Sequence, residues 1–102
     1  MVLRKMVDVD YRRIVGIVPV EKRERLSAKL IDFVLKSKNV DKMPSSLAKA
    51  ILHHWQRGPL TNEAGLAALL EAAVVVESDK TVNFLEEELQ LLDIVKAIRT
   101  ME

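Results

Sequence analysis

The sequence predicts an all-α bundle of about five helices in a single domain spanning residues 1–102. Three observations lead there. Apolar residues return every three or four positions over most of the chain, the spacing of one helical face. Pro19, Pro44 and the Gly58-Pro59 pair fall between those periodic runs rather than inside them. With 49% apolar and 30% charged residues, the chain can bury a core and still cover it with a solvated surface.

Residues 2–18 are read as a first helix because Leu3, Val7, Tyr11, Ile14 and Val18 share one face. The alternation of Val7, Val9 and Tyr11 with Asp8 and Asp10, and the β-branched run around Gly16, leave a short strand as the alternative. Pro19 suits the first position of a second helix, where its missing N–H costs nothing. Leu26, Leu30, Phe33 and Val34 form the inward stripe of that helix, widened by Ile31 and Leu35, and Asn39 ends it. A third helix begins around Pro44, with the Ser45 and Ser46 hydroxyls available to cap it. Leu47, Ile51 and Trp55 give this helix an apolar side, and Gly58-Pro59 stops it.

Thr61 or Asn62 caps a fourth helix that is apolar nearly all round and rich in small residues, which makes it the central one. It reaches Ala73 and ends near Val76, unless a short extended segment occupies residues 74–77. Asn83 with Glu86 has the form of a capping box for the fifth helix, and Asp79 is a rival start. Val82, Leu85, Leu89, Leu92 and Val95 form its main stripe. Phe84, Leu91, Ile94 and Ile98 widen that stripe beyond the needs of one packing neighbour. These four residues are therefore the expected partner interface, although a terminal bundle helix touching two neighbours would use the same width.

The formal charge of +1 is a cancellation. Residues 1–51 carry twelve Lys/Arg and six Asp/Glu, whereas residues 52–102 carry four and nine. The two halves can attract each other or offer opposite faces to different partners. Arg12, Arg13, Lys22, Arg23, Arg25 and Lys29 form the basic cluster available to a nucleic acid, with Tyr11 and Phe33 the only aromatics nearby. The longest apolar block, residues 64–76, contains Glu71 and is too short for a membrane span, and no signal-peptide core follows Arg4 and Lys5. A cytoplasmic protein is expected. Abundant Lys, Arg and Glu with few Asn and Gln would suit a thermophile.

Chemistry is poorly provided for. Cysteine is absent, which removes disulfides, thiolate metal sites and thiol nucleophiles. His53 and His54 are the only histidines. Neighbours on a helix diverge by about 100°, and no carboxylate or histidine stands three or four positions from either. Ser46 lies two turns from His53, beyond hydrogen-bond reach. Glu86, Glu87 and Glu88 fan across a polar face, and no glycine-rich loop is present to cradle a phosphate. No enzyme, metal site, cofactor or small-molecule substrate is expected.

From residue 45 onward the order of features resembles a helix-turn-helix domain of the winged-helix type. Ser46-Leu47-Ala48-Lys49-Ala50-Ile51-Leu52 is similar to its first helix, Gly58-Pro59-Leu60-Thr61 to its turn and residues 66–70 to its second helix. Thr81-Val82, Leu85, Leu89 and then Ile94-Val95 are similar to the recognition helix and the start of a strand. The resemblance implies DNA reading. Yet no Lys or Arg occurs from Gly58 through Asp79, and three glutamates lie on the would-be recognition helix. Protein contacts are therefore the expected use: a helical interaction or assembly module that self-associates as a homo-oligomer or docks onto a protein partner, with nucleic-acid binding through the basic half as the alternative.

Overall fold

In a computed structural model, the described residues are 10–57, 60 and 62–101. Among them are six α-helices and no strand: α1 (Tyr11–Ile17), α2 (Val20–Lys36), α3 (Ser45–Gln56), α4 (Glu63–Val76), α5 (Ser78–Asn83) and α6 (Leu92–Met101). A 3-10 turn (Val40–Lys42) joins α2 to α3, and a π-turn (Phe84–Glu88) extends α5. The all-α expectation holds. Leu3 and Val7, the first positions of the N-terminal stripe, lie outside the described residues; farther along it, Ile14 and Val18 are buried and Tyr11 is half-buried.

Helix α4 is the hub. It packs against α1, α2 and α3, and eight of its residues are buried, including Leu66, Leu69 and Leu70. Its alanines and Gly65 keep its surface shallow, so several helices can approach one axis. Buried side chains from all six helices join a single apolar cluster around it. The cap is Asn62, whose side-chain oxygen accepts from the Gly65 N–H at 2.7 Å. At the other end the helix runs to Val76, the end that the sequence offered first, and the alternative extended segment over 74–77 does not form. The buried Thr81 hydroxyl donates to the Ala73 carbonyl at 3.1 Å, and the Glu77 N–H donates to the same oxygen at 2.7 Å. These bonds satisfy the end of α4 while the chain turns directly into α5.

The expected fifth helix is two helices. Asn83 sits at the end of α5 and makes no side-chain cap, so the predicted capping box is absent. At the π-turn the Leu89 N–H reaches back to Phe84 O, and Leu91 N–H to Leu85 O. Gln90 then adopts a left-handed backbone with φ 55°, and α6 starts afresh at Leu92. The reason is geometric. On one straight helix, the apolar positions from Val82 to Ile94 would spread over roughly 240°. The break turns both sets onto one core, burying Leu91, Ile94, Val95 and Ile98 while Leu92, expected on the stripe, is 59% exposed. Ile94 and Val95, similar to the start of a wing strand, are helical. Two smaller differences concern helix starts. Pro19 precedes α2 as its cap residue, and no serine side chain caps α3, whose cap position is Pro44.

Candidate functional site

The expected partner residues are inside the molecule. Phe84, Leu91, Ile94 and Ile98 are all at most 8% exposed and belong to the central cluster. The apolar width of this segment is consumed by the chain's own neighbours, so these four side chains form no outward docking face in the folded chain. Phe84 meets Phe33 edge-to-face with ring centroids 6.1 Å apart.

The basic cluster is largely engaged with the protein itself. Arg23 donates to the carbonyls of Val18 (3.1 Å) and Val15 (3.4 Å), closing the C-terminal end of α1, where a cation is favoured by the helix dipole. Lys22 Nζ donates to Leu89 O at 2.8 Å and so ties α2 to the break between α5 and α6. Arg25 pairs with Glu88 at 3.2 Å and lies over the Phe84 ring, and Lys29 lies over Phe33. Arg12 stands 4.0 Å from Glu63, and Arg13 is exposed. Arg12–Glu63 and Arg25–Glu88 join the basic half to the acidic half. Exposed pairs of this kind stabilise weakly.

An unpredicted apolar feature lies between α2 and α3. A groove of about 290 Å³ is walled by Ile31 and Leu35 on one side and by Ile51, Leu52 and Trp55 on the other, over a floor of Leu60 and Leu69. Every side chain lining it is apolar. Leu35 is 77% exposed, Leu52 56% and Trp55 54%. The sequence explains why it stays open. Helix α3 commits only Leu47 fully to the core, so its stripe of Leu47, Ile51 and Trp55 runs from the interior outward to solvent. Leu35, which widened the stripe of α2, is the matching surplus on the facing helix. Exposed apolar side chains are ordinary when scattered; here they are gathered along one groove. A small-molecule pocket would add a few placed polar groups to fix a ligand's orientation, and this lining has none.

The histidines flank this wall. His53 is exposed and His54 half-buried, with their rings edge-to-face at 5.3 Å. Among the described residues, no group of three His, Asp or Glu is placed to hold a metal ion, and no helix is long and apolar enough to cross a membrane. Asp32 accepts from Lys36 Nζ at 2.9 Å, and that hydrogen bond holds its carboxyl below the ordinary value.

Glu71, half-buried on α4, behaves oppositely: loss of water around it pushes its carboxyl above the ordinary value. The folded chain therefore keeps this proton to higher pH than the unfolded chain does. The associated stability is complete below the unfolded-state value and is lost as pH rises through the raised folded value. Glu71→Gln should accordingly raise the thermal midpoint at pH 7 and leave it nearly unchanged near pH 3. Melting curves at the two pH values check the sign, and equal shifts at both would show that the charge is not the cause.

With the fold and the groove in view, comparison with known proteins adds no relative: no protein-family model, no curated protein and no solved structure matches this chain.

Proposed function

We propose that the protein is a non-enzymatic, cytoplasmic interaction or assembly module that docks onto another protein through the groove between α2 and α3. The observation that carries this reading is the uninterrupted apolar lining that leaves Leu35, Leu52 and Trp55 exposed side by side. Two facing helices that present apolar walls over an apolar floor suit the apolar face of a third helix, recognised through anchors one turn apart. Nucleic-acid binding through the basic half is the weaker reading, because Lys22, Arg23, Arg25 and Lys29 already contact carbonyls, a carboxylate and aromatic rings of the chain itself.

Trp55 is the only tryptophan and reports on the groove directly. An 18-residue amphipathic helix with leucine anchors and glutamine elsewhere, titrated into the full-length protein, should move Trp55 emission to shorter wavelength. The Leu35→Gln/Leu52→Gln double variant should lose this response. Both side chains are exposed, so its unfolding free energy should stay within about 1 kcal/mol of the parent. No emission change with the parent protein, or an undiminished one in the variant, would remove the groove as the docking face.

A further inference from the structure

The charge around the groove says what kind of helix it takes. The segment from Phe33 to Asn62, which includes the end of α2, the 3-10 turn and all of α3, contains five Lys/Arg and a single acid, Asp41. The remainder of the chain is net acidic. Lys36 in this segment is matched by Asp32. Lys38, Lys42, Lys49 and Arg57 are exposed, and none is held in an ion pair among the described residues. Lys38 and Lys42 follow α2, Lys42 standing immediately before the groove-lining Met43, and Lys49 lies one turn from Leu52 on α3, whereas Arg57, two residues past Trp55, falls on the opposite side of that helix. The segments that wall the apolar trough and the turn that joins them thus carry exposed cations held in no ion pair among the described residues.

We infer that the occupant is an acidic amphipathic helix of a partner protein, its leucine-type anchors in the trough and its carboxylates toward Lys38, Lys42 and Lys49. This rests on the docking function proposed above and adds the partner's chemistry. A second copy of this chain is disfavoured at the same place. A two-fold contact presents one patch to itself, and here it would set three cations against the same three. Border charges of this sort govern discrimination between partners and the rate of encounter more than total affinity.

The test uses the full-length protein and three 18-residue helical peptides with one leucine face and polar faces of glutamate, glutamine or lysine. Binding is followed by Trp55 emission. The glutamate peptide should bind about tenfold or more tightly than the lysine peptide at low salt, with glutamine between them. The gap should close in about 0.5 M salt, where the screening length falls to a few ångström. Lys42→Glu/Lys49→Glu should reverse the order of the charged peptides. Equal binding of all three peptides would overturn the acidic partner and leave the docking face standing. Failure of all three would remove both. A concentration-dependent dimer in sedimentation that Leu52→Gln dissolves would make a second copy the occupant and overturn this inference.

Discussion

Leu70→Ala should lower the free energy of unfolding by about 3 kcal/mol and the thermal midpoint by roughly 15 °C. Leu70 is fully buried on α4, the helix against which α1, α2 and α3 all pack. Truncation there removes apolar contacts and leaves a void bounded by several helices, none of which can close it without leaving its other neighbours. Domains of this size have only about 5–15 kcal/mol of net stability, so the loss is a large fraction of the whole. Leu92→Ala is the matched control: the same chemical change on α6, at a side chain 59% exposed, should cost under about 1 kcal/mol. Urea titrations of both variants with unchanged slope measure the difference. Similar losses for the two would show that depth in the core does not set the cost.

Gly65→Val should destabilise by about 2–4 kcal/mol, by overpacking and by disturbing a helix cap. A Cβ at position 65 would stand 2.9 Å from a Leu60 methyl, 3.2 Å from the Asn62 side-chain oxygen and 3.2 Å from His54 Cβ. Leu60 is itself 1% exposed, so its methyl has little room to withdraw. The Asn62 oxygen is the acceptor that caps α4 through the Gly65 N–H. His54 belongs to α3, so the added carbon also presses the two helices apart. Gly65→Ala should cost less, about 1 kcal/mol, because the gain in helix propensity offsets part of the contact. The order Gly, Ala, Val in thermal midpoint checks this, and a midpoint raised by alanine would show that the packing is looser than these distances require.

Where local chemistry acts alone, the sequence was legible. The cap at Asn62, one of the two positions offered, and the centrality of the apolar, small-residue α4 both follow from residues near each other in the chain. Features that depend on two distant segments were not. Helical periodicity across residues 82–98 reads as one long amphipathic helix. Only packing against the rest of the core reveals that a break at Gln90 lets Phe84, Ile94 and Ile98 face inward together. The same limit hid the burial of Phe84, Leu91, Ile94 and Ile98. An apolar surplus on one helix is indistinguishable in sequence from an extra internal neighbour, and residues 84–98 have that neighbour whereas Leu35, Leu52 and Trp55 do not. The basic cluster follows the same pattern, because carbonyls such as Leu89 O become acceptors for Lys22 only once the chain has folded back on itself. A signal for the groove was present in the facing surpluses of α2 and α3.

The π-turn gives chain length a meaning that residue identity does not have there. A π-turn accommodates one residue more than the α-helical path it interrupts. Dropping one residue between Phe84 and Glu88 can therefore be absorbed by a return to α geometry, whereas adding one would swing everything beyond it by about 100° around the axis. Ile94 and Ile98 would leave the interior, and the polar side of α6 would take their place. Residues 86–88, half-buried to exposed, can thus vary in kind, and lose one of their number, far more freely than they can gain one. The C-terminal part of the core is in this sense specified by counting.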